Sequence, residues 1–127
     1  MVSKKAMRMV SKLPEPTEEE FFNQIKDVAH LYGWRIAHFR AARTAHGWRT
    51  AVAGDGAGFP DCVLVREHNG RAYLIFCELK SNKGKLTAGQ QEWLDLLSKI
   101  EGIGVYVWRP SDFESIVEIL RKTAGHQ

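Results

Sequence analysis

Apolar positions between residues 17 and 32 recur with the period of a helix: Phe21, Phe22, Ile25, Val28, Ala29 and Tyr32 share one face. Gly33 ends the run, and Thr17 with Glu20 has the spacing of a capping box at its start. Glu18 breaks the pattern. It falls on the apolar stripe itself, while Glu19 and Glu20 point away. A strand is predicted over Trp34–Arg40, then an Ala/Gly-rich connection in which Trp48–Val52 could form a short extra strand. Apolar runs on either side of Asn69-Gly70 predict a hairpin from Gly58 to Lys80. A second helix is expected from Thr87 to about Lys99, with Gln90, Trp93, Leu94 and Leu97 on its buried stripe. Gly104–Trp108 is a strand, and Ser111-Asp-Phe-Glu opens a last helix, again as a capping box, burying Phe113, Ile116, Val117 and Leu120.

The order is therefore helix, three strands, helix, strand, helix. Tyr73 to Trp108 has the length of a βαβ unit, whose two strands should run parallel and cross over right-handed. The expected fold is α/β, a central mixed sheet flanked by helices with an extra helix at the C-terminal end.

At 127 residues the chain fits one domain, here taken as 17–127, with residues 1–16 as a probable mobile leader. Cys62 and Cys77 both sit in apolar runs, which fits buried thiols in a reducing compartment and not a disulfide framework. No stretch is long and apolar enough to cross a bilayer, so a cytoplasmic protein without a membrane partner is expected. The net charge of +3 permits a nucleic-acid partner without demanding one. His30, His38, His46 and His68 lack the paired spacing of zinc ligands.

The hairpin carries the candidate chemistry. With a two-residue turn at Asn69-Gly70, His68 faces Arg71, Val65 faces Leu74, Val63 faces Phe76 and Cys62 faces Cys77. One step further, Asp61 faces Glu78 across an open pair, where Cα atoms approach to about 4.5 Å. Lys80 projects from the same face. Opposed carboxylates repel unless a positive charge lies between them, and Mg²⁺ or Mn²⁺ is the natural candidate, with the Leu79 carbonyl as a third ligand. Such an ion could polarise a scissile phosphate and activate water, with Lys80 orienting the water or neutralising the phosphate. Taken singly, each of these residues has an ordinary structural explanation: Asp after Pro at a strand start, and Glu-x-Lys as a solvated pair. It is the shared face, with Glu18 and Gln90 on apolar stripes, that argues for a site.

Gly58-Phe-Pro-Asp61 followed by Cys77-Glu78-Leu-Lys80 resembles the PD-(D/E)xK signature of restriction-endonuclease-like nucleases, whose αβββαβ core matches the order above. Thr17-Glu-Glu-Glu-Phe, Gly33-Trp-Arg, His38-Phe-Arg40, Leu86-Thr-Ala-Gly-Gln90 and Trp93-Leu94 narrow the resemblance to the VRR-NUC group, over about Thr17 to Asp112. That group includes small standalone nucleases, many from phages. The resemblance implies Asp61 and Glu78 as metal ligands, Lys80 serving water and phosphate, and Glu18 as the helix-one acid, with Glu20 as the alternative. Gln90 matches the family's glutamine, although Thr87 to Gln90 is also a capping box.

The expected function is a Mg²⁺- or Mn²⁺-dependent DNA endonuclease with no small-molecule cofactor. Similarity to the standalone members implies a homodimer acting on branched DNA such as Holliday junctions, in the cytoplasm, that of a phage-infected host cell included. Arg35, His38, Arg40, Arg43 and Arg49, with Lys83 and Lys85 of the Ser81–Lys85 loop, are candidates for holding phosphates. Two alternatives stand beside this: a non-catalytic DNA-binding or dimerisation module of the same fold, and a nuclease acting on linear or single-stranded DNA.

Overall fold

The structure is a computed structural model; it describes residues 3–5, 14–39, 42–44, 47–49 and 52–122, with backbone alone for 42–44 and 47–49. Helix α1 spans Glu18–Leu31. Its start is the expected capping box, the Thr17 hydroxyl accepting from the Glu20 N–H at 3.1 Å and the Glu20 carboxylate accepting from the Thr17 N–H at 2.9 Å. Its end is a Schellman closure: Trp34 N–H reaches the Ala29 carbonyl and Gly33 N–H the His30 carbonyl. Because Trp34 is used in that closure, strand β1 is shorter than expected, Arg35–His38.

Among the described residues, strands β2 (Ala42–Thr44) and β3 (Gly47–Arg49) pair only with each other, as a separate antiparallel ribbon. Of the expected extra strand Trp48–Val52, Trp48 and Arg49 fall in β3, residues 50 and 51 lie outside the described residues, and Val52 is exposed. The sequence hides this ribbon because three-residue strands are too short to display an alternation.

Strands β4 (Cys62–His68) and β5 (Arg71–Leu79) form the hairpin in the expected register, from His68 opposite Arg71 to Cys62 opposite Cys77. Asn69 and Gly70 have φ of 54° and 78°, the positive pair of a type I′ turn. Helix α2, Ala88–Leu97, returns the chain to β6, Gly104–Trp108, which runs parallel to β5. The main sheet has the order β1-β4-β5-β6.

One sheet face, bearing Cys62, Leu64, Ile75 and Cys77, is sealed by Ile25 and Ala29 of α1 and by Ile116 and Leu120 of α3, Phe113–Lys122. Both cysteines are free and buried, as expected. The indole of Trp34 donates to the Leu120 carbonyl at 2.9 Å and ties α1 to α3. On the other face, Phe59 bridges Phe76 of β5 and Trp93 of α2 by edge contacts at 5.7 and 5.1 Å. Before α3 the expected Ser111 capping box is replaced by a 3-10 turn over Pro110–Asp112. Pro110 has no N–H to cap, the Asp112 carboxylate accepts from the Arg109 N–H, and the Ser111 N–H is taken by Asn82.

Gly58 fixes how the hairpin meets α2. Its φ is +87°, and a Cβ there would lie 2.5 Å from the Gly89 carbonyl carbon and 2.7 Å from the Gln90 nitrogen. Gly70 also has positive φ but open space around it. In urea unfolding, Gly70→Ala is expected to cost about 1 kcal/mol. Gly58→Ala should cost that and about 1–3 kcal/mol more, because backbone must move.

Candidate active site

At the open end of the hairpin, beyond the last ladder pair of Cys62 with Cys77, Asp61 and Glu78 come face to face. Asp61 follows Pro60, which is buried, so the loop delivers its carboxylate from a fixed backbone. The Asp61 carbonyl accepts from the Phe39 N–H at 2.7 Å, and its Oδ2 accepts from the Leu79 N–H at 3.0 Å. Amide and carbonyl of one strand residue leave on the same edge, so the Leu79 carbonyl is directed toward Asp61 as well.

Glu78 is the only buried charged residue of the described core, 2 % exposed. Its Oε1 accepts from Gln90 Nε2 at 2.8 Å, and its Oε2 has no partner. The orientation of the Gln90 amide is dictated by α2. Its Oε1 accepts from the Thr87 N–H at 2.9 Å while its backbone N–H binds the Thr87 hydroxyl, which leaves only the NH₂ for Glu78. The two readings of Gln90, cap and site residue, are therefore both realised by the two ends of one amide. Contact between Gly58 and Gly89 sets the distance that makes this bond possible.

Burial, then the charge of Asp61, push the Glu78 carboxyl up to about 8, with the Lys80 ammonium pulling the other way. Near neutral pH the Glu78 carboxyl therefore favours its protonated form. A buried acid kept neutral beside a carboxylate, with one oxygen unpartnered, suits a hard divalent cation that displaces the proton. Among the described residues no three His, Cys, Asp or Glu side chains gather as a closed metal site. Two carboxylates and a carbonyl fit an ion that keeps several waters and takes the rest of its shell from substrate.

The acids lie in a cleft of about 410 Å³. Glu18 and Phe21 of α1 form one side, Lys80, Ser81, Gly84 and Lys85 another, and Pro16 and Pro110 the rim. Glu18 thus reaches the site region, whereas Glu20 is held in the helix cap. Lys83 is exposed on the same loop. Arg35 is exposed at the far end of β1, and His38 stacks on Phe22 with ring centroids 4.2 Å apart. Arg40 lies outside the described residues, as do the side chains of Arg43 and Arg49, whose backbones are in the β2–β3 ribbon. Glu15, assigned by sequence to the leader, accepts from the Asn82 N–H at 2.6 Å. Most of the leader is also outside the description.

The sequence reading missed Arg109, whose Nη1 donates to the Ser81 carbonyl at 2.5 Å and the Gly84 carbonyl at 2.7 Å. The available signal was its place just after β6: parallel pairing with β5 sets Trp108 beside Leu79, hence Arg109 beside Lys80.

The raised Glu78 value has a consequence for stability. Because the folded carboxyl holds its proton from 4.5 to about 8 while the unfolded one does not, its contribution is fullest below 4.5. It is lost as pH rises to about 8, at up to about 1.4 kcal/mol per pH unit. In EDTA, the melting temperature of wild type should therefore fall across that window relative to Glu78→Gln. Mn²⁺ should remove the difference in slope. Parallel slopes in EDTA would refute the raised proton affinity of Glu78.

The sequence model of the VRR-NUC domain matches residues 8–112. No curated protein and no solved structure matched the chain. Among the described residues no helix is long and apolar enough to cross a membrane. The match covers most of the chain, and its PD and ExK residues meet in one cleft over a mixed sheet; the chain belongs to the VRR-NUC domain family, a group of the PD-(D/E)xK nucleases.

Proposed function

We propose that this protein is a divalent-metal-dependent DNA endonuclease, structure-specific for branched DNA such as Holliday junctions and acting as a homodimer. One observation carries the reading: buried Glu78, with an unpartnered oxygen, opposes Asp61 in a cleft walled by lysines. A binding surface for DNA gains nothing from carboxylates set against phosphate. A hydrolase gains from them if they hold a cation. Asp61, Glu78 and the Leu79 carbonyl would hold Mg²⁺ or Mn²⁺, which would supply positive charge to the scissile phosphate and acidity to the attacking water.

The chain's own residues do the rest. Gln90 holds Glu78 by its fixed NH₂, so the carboxylate cannot rotate away when its proton leaves. Lys80, beside the pair, orients the water and offsets charge developing on the phosphate. Glu18 faces the cleft from α1 and can orient a further water. Lys83 and Lys85, with the arginines at 35, 40, 43 and 49, hold flanking phosphates and set the register of the duplex. The packing of His38 on Phe22 gives that residue a supporting role behind β1. One such site cuts one strand per visit. A four-way junction needs two symmetrical cuts, which a homodimer supplies.

Wild type, Asp61→Asn and Lys80→Ala, incubated with labelled junction, flap, linear duplex and single strand, test this directly. With Mg²⁺ or Mn²⁺ wild type should cut the junction fastest; EDTA and Asp61→Asn should abolish cutting. Lys80→Ala should slow it by about 100-fold or more without abolishing DNA binding. Cleavage persisting in EDTA would refute the metal mechanism, and tight binding without cleavage would leave a binding module. Preference for linear or single-stranded substrate would refute junction specificity, and a monomeric mass in light scattering would refute the dimer.

A further inference from the structure

Lys80 and Lys85 line the cleft, Lys83 is exposed on the loop between them, and Arg109 lies against that loop. None of them forms an ion pair; among the described residues, ion pairing is confined to Glu118 with Arg121 and Lys122 on α3. Such a cluster of like charge costs free energy in the free protein unless an anion is its normal partner. The loop is nevertheless tightly held. Arg109 spends Nη1 on the Ser81 and Gly84 carbonyls, which stand at the two ends of the Ser81–Gly84 turn. Asn82 bridges Glu15 and the Ser111 N–H, and the Arg109 backbone is pinned by Asp112. These bonds join the loop to Glu15 and to the segment after β6, and none of them involves Asp61 or Glu78.

We infer that Arg109 is a positioning residue that holds the Ser81–Lys85 loop in its phosphate-binding shape, so that Lys83 and Lys85 meet the DNA backbone without first being ordered. This rests on the nuclease reading and adds to it the part of the fold that preorganises substrate binding. Ordering a loop on binding subtracts from affinity. A planar guanidinium reaches two carbonyls at fixed separation; a lysine ammonium on a flexible stem does so poorly. Its effect should therefore pass through the lysines and not add to theirs.

The test uses the full chain and a labelled four-way junction, with binding measured in Ca²⁺ over a series of salt concentrations for wild type, Arg109→Ala, Arg109→Lys, Lys83→Ala/Lys85→Ala and the triple variant. Arg109→Ala should weaken binding about tenfold and flatten the slope of log K against log salt by about 1–2. Arg109→Lys should fall between it and wild type, and the triple variant should bind like the double. Hydrogen exchange of the 81–85 amides should quicken in Arg109→Ala without DNA, while Mn²⁺ affinity at the acids stays unchanged.

Additive losses in the triple variant would show that Arg109 contacts phosphate itself and would overturn the proposal. So would unchanged binding in both arginine variants where the lysine double variant loses affinity. If the lysine double variant binds normally, the loop is not a phosphate wall and the proposal fails. Metal-dependent cleavage in that same variant would still leave the nuclease reading intact. Should Arg109→Ala not fold, Arg109→Lys alone decides between the additive and the non-additive outcome.

Discussion

Two acids oppose each other across the end of one antiparallel ladder, and one of them is buried. Much of the site follows from making that arrangement tolerable. Repulsion and burial would expel Glu78 from this position if β5 were an edge strand, but β4 and β6 clamp it on both sides. Gln90 then supplies one donor, and the raised proton affinity of Glu78 makes up part of the remainder. The unpartnered Oε2 is what is left over, and a cation is the chemistry that would complete it.

The rest of the architecture acts on that pair from two directions. From below, α1, α3 and the buried faces of β4 and β5 make the hairpin rigid, with the Cys62 and Cys77 thiols packed directly beneath the acids. From the side, backbone meets backbone at Gly58 and Gly89, so the loop that delivers Asp61 and the helix that delivers Gln90 are set against each other without an intervening side chain. A precise separation between two functional groups is easiest to hold through such a contact, because backbone has fewer soft degrees of freedom than a long side chain. Phe59, packed between Phe76 and Trp93, closes the same joint from the apolar side.

The opposite wall of the cleft obeys different physics. There the charge is positive and solvated, and the chain's problem is to keep a turn rich in small and charged residues in one shape. Hydrogen bonds answer it: Arg109 donates to the Ser81 carbonyl, the Asn82 N–H donates to Glu15, and the Asn82 side chain accepts from the Ser111 N–H. Acid lies at the base of the cleft and cations along its wall, so the two kinds of charge are kept apart within one site.

Much of this was legible in the chain alone wherever the cause is local. The Asn69-Gly70 turn requires two positive φ angles that these residues tolerate, and a type I′ turn then dictates every pairing back to Cys62 with Cys77. Capping at Thr17 and Thr87 follows from side chains reaching three residues along their own helix, and the apolar stripes identify which faces are buried. Where causes compete within a few residues, as at Pro110 and Ser111 or in the Ala42–Arg49 ribbon, the local signal was ambiguous and the expected boundaries shifted. Tertiary structure alone decided the burial of Glu78, the meeting of Gly58 with Gly89, the bond from Gln90 and the grip of Arg109 on the loop. Each depends on the distance between elements that sequence separation does not encode, and it is those distances that turn two acids at the ends of two strands into one site.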